Sequence, residues 1–338
     1  MLGQLRQKII LSLAFAALVY FALTLYGDAP KLADAFLGWD WRWLPVVILA
    51  VLANYGLRFM RWHYYLLVIG IHNVPLRPSL LIFLSGFSLT MVPGKLGELL
   101  KSVLLKSHYD ISISYSASIV AAERLTDTIG MTLLAAVGIS MFPNGVPALV
   151  LIIIALVVAV VLLQSRTLAE KIIGLFERLP IIGKFANLAK NMYESAYLML
   201  RIRPLIISVT LSIVAWFGEC LALFLILLGF GQAPTGLLLL QSTFIYASAS
   251  LFGAITLLPG GLGATEGTIT SLTQLFVNTS ATIAAATTLL VRVCTLWLAI
   301  ILGSVALFIL GRTGKPANLQ ELSIDKSAQP TDADIRAT

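Results

Sequence analysis

Runs of apolar residues separated by short polar breaks dominate the chain, and they set its predicted elements. The first covers Ile9–Tyr26, and a second covers Leu44–Ile69. A shorter run, Ser79–Val92, ends at Pro93-Gly94. Tyr115–Met141 and Pro147–Leu163 follow, joined by an uncharged Phe-Pro-Asn-Gly turn. After a polar stretch, 165–204, come Leu205–Phe230, Gly236–Leu258 and Ala281–Leu310. A helical crossing of the bilayer takes about 20 apolar residues, so most of these runs predict membrane-spanning helices. Ser79–Val92 is too short, about 20 Å at 1.5 Å per residue. The first run lacks a small-x-small cleavage site before Asp28, so it is expected to be a retained span rather than a signal peptide. Residues 312–338 are rich in Pro, Ser, Asp and Ala without apolar period, and predict a disordered tail.

Composition supports the same class. Of 338 residues, 59% are apolar and 12% charged, with a mean hydropathy of +0.94. Soluble domains carry about 25% charged residues. The net charge of +7 does not point to nucleic acid, because most basic residues fall between apolar runs, where they report topology. Arg166, Lys171, Arg178, Lys184, Lys190, Arg201 and Arg203 assign 165–204 to the cytoplasm. Arg6 and Lys8 before the first run, and Arg312 and Lys315 after the last, put both termini on that side. Within the cytoplasmic stretch, Leu168, Ile172, Leu175, Phe176 and Leu179 recur at helical spacing. They fit either a helix on the inner leaflet of the cell membrane or a solvated helical hairpin.

With both ends inside, the crossings balance if 79–107 is a re-entrant hairpin and 236–278 is a second one, entered from outside. Gly236–Leu258 is also long enough to cross. The expected fold is all-α and polytopic: about six spanning helices plus two broken hairpins. Residues 1–141 and 142–311 form two repeats. Pro93-Gly94-Lys95-Leu96-Gly97-Glu98 has a counterpart in Pro259-Gly260-Gly261-Leu262-Gly263 with Glu266. Each is followed, about thirty residues on, by a helix bearing an arginine, Arg124 or Arg292. The halves begin on opposite sides, which makes an inverted repeat of the kind that secondary transporters use to build a midplane site.

The chemistry concentrates in these strings. Glycine frees the backbone and proline favours a first helical turn, so each string starts a half-helix whose amides attract anions. Lys95 would reinforce that attraction. Glu98 and Glu266 fit three roles: first-turn stabilisation, a proton or cation site, or partners for buried arginines. Glu123, Arg124 and Asp127 form the densest charge cluster in any span, either a self-contained ion-pair network or a site facing a cavity. Arg292 needs an acid from elsewhere, Glu266 or Glu219. Arg58 and Arg61, beside Trp62, His63, Tyr64 and Tyr65, are expected to be snorkelling anchors near the interface. His63, His72 and His108 are scattered, Cys220 and Cys294 lie in apolar runs, and no nucleotide loop is present. No catalytic residue, metal or cofactor is expected.

Pro-Gly-Lys-Leu-Gly-Glu, Glu-Arg-Leu-Thr-Asp, and Leu-Pro-Gly-Gly-Leu-Gly-x-x-Glu with a later lone arginine together resemble the lysylphosphatidylglycerol synthase transmembrane family, over about residues 5–312. Its members include the flippase-like region of bacterial aminoacyl-phosphatidylglycerol synthases and stand-alone membrane proteins. The resemblance implies lipid translocation rather than enzymatic synthesis. The chain as given stops 26 residues after Arg312, so a synthase domain is not expected in it. The family motifs match Pro93, Gly94, Gly97, Glu98, Glu123, Arg124, Asp127, Pro259, Gly260, Gly263, Glu266 and Arg292. With Lys95 and Gly261 these are the candidate substrate-binding residues, for a membrane lipid with an anionic headgroup. Competing expectations are a membrane enzyme acting on a lipid carrier, and an accessory subunit that recruits a lipid-modifying synthase or glycosyltransferase through 165–204.

Overall fold

The computed structural model describes residues 2–92, 96–139, 143–166, 186–256 and 258–313. Pro93, Gly94, Lys95, the 168–179 amphipathic pattern and residues 314–338 lie outside this set. Every described regular element is helical, and the chain is an all-α polytopic membrane protein.

Helix α1 (Leu2–Tyr26) turns through 88° into α2 (Ala29–Gly38). The bend sits at Gly27-Asp28, where Asp28 takes φ 65 and Pro30 opens α2. The hydrophobic pattern did not reveal α2, which is short and interrupted by Lys31 and Asp34. Helix α3 (Leu44–Val68) follows a cap in which the Asp40 carboxylate accepts the Arg42 amide at 3.2 Å. The first broken hairpin comes next. Helix α4 (Leu76–Ser85) runs into a 3-10 turn, Gly86–Leu89, and α5 (Leu96–Tyr109) continues after the Pro-Gly string. Its arms hold 10 and 14 residues, about 15 and 21 Å, and each is too short to cross the roughly 30 Å hydrocarbon core.

Helix α6 (Ile113–Val137) carries Glu123, Arg124 and Asp127, yet about half of its residues are buried within the protein. That is how charges are tolerated at membrane depth. Helix α7 (Val146–Gln164) is the opposite case, apolar on every side with no buried residue, as suits a helix surrounded by lipid. Helix α8 (Ala186–Met199) packs against α6, burying Tyr193, Ser195 and Met199. The second half of the polar 165–204 stretch is therefore docked on the bundle.

Helix α9 (Ile202–Gly229) lies along α3. Gly218 permits the close approach, since a side chain there would meet the Ala50 carbonyl at 3.0 Å. Asn54 donates to the Ala215 carbonyl at 2.7 Å across the same seam. The second hairpin consists of α10 (Gly236–Ile255), a turn at Pro259–Gly261 and α11 (Ala264–Val277). Its first arm, 20 residues of mainly apolar sequence, is long enough to cross by itself. Helix α12 (Ala281–Arg292) passes through a π turn, Val293–Trp297, into α13 (Leu298–Thr313).

Among the described residues, the α4–α5 pair is followed by α6, which carries Arg124, and the α10–α11 pair by α12, which carries Arg292. The main apolar core joins α3, α6, α9, α10 and α12. A second cluster joins α3, α4, α5 and α6.

Candidate functional site

Each Pro-Gly string places a glutamate at the start of its hairpin's second helix, and each glutamate finds the arginine 26 residues later. In the first half the Arg124 Nε donates to Glu98 Oε2 at 2.7 Å, and a second guanidinium nitrogen meets Glu98 Oε1. In the second half the Arg292 Nε donates to Glu266 Oε1 at 2.6 Å. The equal spacing gives both hairpins one staple: the returning helix is tied by charge to the long helix beyond it.

The second staple is the more enclosed. Gly260 and Gly261 adopt φ 60 and 68, and Gly263 adopts φ 80, conformations that favour glycine. The Gly263 amide donates to Glu266 Oε2 at 2.7 Å, while Arg292 also donates to the Gly260 carbonyl at 2.7 Å. One carboxylate therefore caps α11 and neutralises Arg292, and one arginine clamps both turn and helix. The anion at this helix start is the protein's own. Side-chain exposure is 8% for Arg292 and 1% for Glu266, against 35% for Arg124 and 22% for Glu98. Of the three roles open to these glutamates, pairing with the buried arginines is the one the geometry displays, joined at Glu266 by the cap.

The charges of α6 do not form a self-contained network. Each reaches a helix other than α6, Glu123 and Arg124 both pairing with α5. Glu123 accepts from Lys101 Nζ of α5 at 2.5 Å, and that ammonium also sits 4.3 Å from the Trp62 ring centroid. Asp127 Oδ1 accepts from Arg61 of α3 at 2.6 Å and from Ser212 and Trp216 of α9, both at 2.8 Å. This corrects the expectation for Arg61. It is not a snorkelling anchor but a buried strut, 1% exposed, whose partner lies 66 residues away.

Between the two hairpins lies a cavity of about 210 Å3. Glu98, Lys101 and Arg124 line it from the first half; Pro259, Gly260, Gly261 and Arg292 line it from the second. Tyr55, Trp216, Glu219, Tyr246 and Ser250 also line it, together with Arg58. Arg58 is thus also corrected, from interfacial anchor to cavity wall. Glu123, Asp127, Gly263 and Glu266 stand behind this lining, and Gly97 lies on the first turn of α5. Arg58 and Lys101 were not expected in a binding cavity, because neither lies in a Pro-Gly string. The available signal was the i, i+3 arginine pair inside an otherwise apolar helix. Among the described residues no three His, Cys, Asp or Glu side chains converge as a metal site requires.

The π turn begins directly after Arg292. Such turns cluster at functional sites. Here it joins the staple to Thr295, Leu296 and Ala299, which line the same cavity.

The chain is similar to archaeal membrane proteins. A UPF0104 membrane protein of Methanothermobacter thermautotrophicus is 25% identical over 254 residues, 68% of this chain and 73% of that protein. One from Methanocaldococcus jannaschii is 29% identical over 229 residues, 66% of this chain and 94% of the relative. A second Methanothermobacter protein is 23% identical over 312 residues, 86% and 90% of the two chains. No solved structure matches. The family described as the lysylphosphatidylglycerol synthase TM region matches residues 9–303, and the chain belongs to that family.

Proposed function

We propose that the protein translocates a phosphate-bearing anionic lipid, a phospholipid or a polyprenyl-phosphate lipid, between membrane leaflets. The observation that supports this reading above all others is the polar cavity lined by both broken hairpins. A headgroup passing through the bilayer needs polar groups that replace its water, because unsatisfied charge in hydrocarbon costs several kcal/mol. The cavity supplies Arg58, Lys101, Arg124 and Arg292 together with tyrosine and threonine side chains. The acyl or polyprenyl chains stay in lipid, against apolar outer faces such as that of α7. The family membership supports a lipid substrate.

In this reading the two halves are related as an inverted repeat, and rocking of one hairpin against the other exposes the cavity to each leaflet in turn. The Glu–Arg staples keep each hairpin rigid through that motion. The basic 165–204 segment and both termini face the cytoplasm, and the protein resides in the cell membrane. Translocation of fluorescent anionic, zwitterionic and polyprenyl-phosphate lipids by the purified protein in liposomes tests the proposal. Selective acceleration of an anionic lipid is the expected result. Equal rates in protein-free and protein-containing vesicles for all three would refute it.

A further inference from the structure

The charges that line the cavity are almost all spoken for, and the exception identifies an anchor. Arg124 is neutralised by Glu98, Lys101 by Glu123 and Arg292 by Glu266. Arg58 has no carboxylate within 4.0 Å among the described residues, and its buried Nε makes no hydrogen bond. Its guanidinium carbon lies 5.2 Å from the Phe87 ring centroid and 5.4 Å from that of Trp216, so α3 holds it between the first hairpin and α9. Cation–π contacts orient a guanidinium and leave its donors unspent. The neighbouring carboxylate, Glu219, accepts the Tyr246 hydroxyl instead.

We infer that Arg58 is the residue that binds the phosphate oxyanion in the cavity, while Arg124 and Arg292 act as struts. The inference rests on the proposed translocation path, and it assigns the path's ligand contact to a residue outside both Pro-Gly strings. Carboxylates compete with any incoming phosphate for the cavity's cations. A phosphate approaching Arg124 or Arg292 must displace a carboxylate already in contact, whereas at Arg58 it meets an oriented, desolvated guanidinium with free donors. Guanidinium and phosphate match as a two-point fork, which an ammonium reproduces only as a point charge. A lipid phosphodiester and free phosphate share this chemistry.

The test measures binding and movement separately on the full-length protein. Phosphorus-31 titration with inorganic phosphate and with glycerol phosphate in detergent reads the anion site alone. Phosphatidylglycerol in nanodiscs and liposomes reads the lipid. Hydrogen bonds to a charged group contribute about 1.5–3 kcal/mol, so Arg58→Gln should weaken phosphate binding at least about tenfold and slow anionic-lipid translocation. Arg58→Lys should lie between Gln and the native residue, and this graded rescue excludes a folding artefact. Glu219→Gln removes a nearby like charge and should keep or tighten binding. Native affinity in a monodisperse Arg58→Gln protein would overturn the inference while leaving translocation standing. Arg58-dependent phosphate binding without any lipid movement would keep the inference and sink the translocation reading. Binding of free phosphate without phosphatidylglycerol would assign the site to a soluble anion.

Discussion

Removing Arg292 should damage the fold far more than removing Arg124, although the two occupy equivalent places in their halves. Taking one partner from a buried ion pair leaves an uncompensated charge and costs about 3–5 kcal/mol. Glu266 is 1% exposed, so Arg292→Met strands its carboxylate in that way and also forfeits the bond to the Gly260 carbonyl. Glu98 and Arg124 are 22% and 35% exposed towards the cavity. Water there screens the remaining charge, and pairs of that kind contribute about 1 kcal/mol or less. For a chain of this size each kcal/mol shifts Tm by about 2 °C. Arg292→Met should therefore lower Tm by roughly 6–10 °C and Arg124→Met by about 2 °C. The double variant Glu266→Gln/Arg292→Met removes the stranded charge while retaining an acceptor for the Gly263 amide, and should recover most of the loss. Thermal unfolding in detergent, followed by the fluorescence of the six tryptophans, measures all three. Equal shifts for the two single variants, or a double variant no better than Arg292→Met, would refute the assignment of the second pair as a buried structural staple.

Asp127→Asn should be more harmful still, because Asp127 satisfies Arg61, Ser212 and Trp216 together. The expected outcome is loss of the monodisperse peak in size-exclusion chromatography, with Asp127→Leu/Arg61→Leu better tolerated than Asp127→Asn. Gly303→Ala places a methyl 2.7 Å from the Leu84 carbonyl and 2.9 Å from the Phe87 backbone. It should push α13 off the first hairpin, lowering Tm and slowing translocation in the same variant. For topology, a cysteine introduced at Asn144 should react with an impermeant maleimide added outside intact cells, and one at Glu194 only after permeabilisation. Reversal of those two results would overturn the orientation drawn from the basic residues.

Much of the architecture was legible because its causes are local. Apolar run length gives the helices, and a Pro-Gly string too close to the end of a short run gives the first hairpin. The Glu266–Arg292 pair was partly within reach, since a lone buried arginine needs an acid and the sequence offered Glu266 or Glu219. Arg58 and Arg61 misled because tryptophan, histidine and tyrosine beside arginine also describe an interfacial belt. What decides between belt and core is Asp127, 66 residues from Arg61, and nothing in the α3 sequence records its position. The α6 cluster left two readings open. Spacings of three and four make an intrahelical network plausible, but Lys101, Arg61 and Glu98 come from other helices and bind those charges first. The cavity itself has no linear signature, being the space left where two hairpins distant in sequence face each other.

If a lipid headgroup travels through this cavity, plugging the cavity should stop its movement. Ser250 lines the cavity from α10, outside every ion pair described above. Translocation of a fluorescent phosphatidylglycerol in liposomes should be compared for native protein and Ser250→Trp, each at matched Tm and reconstitution. Rapid movement by the native protein and a loss of most of that rate in the plugged variant are expected. Unchanged movement with the cavity filled would contradict it.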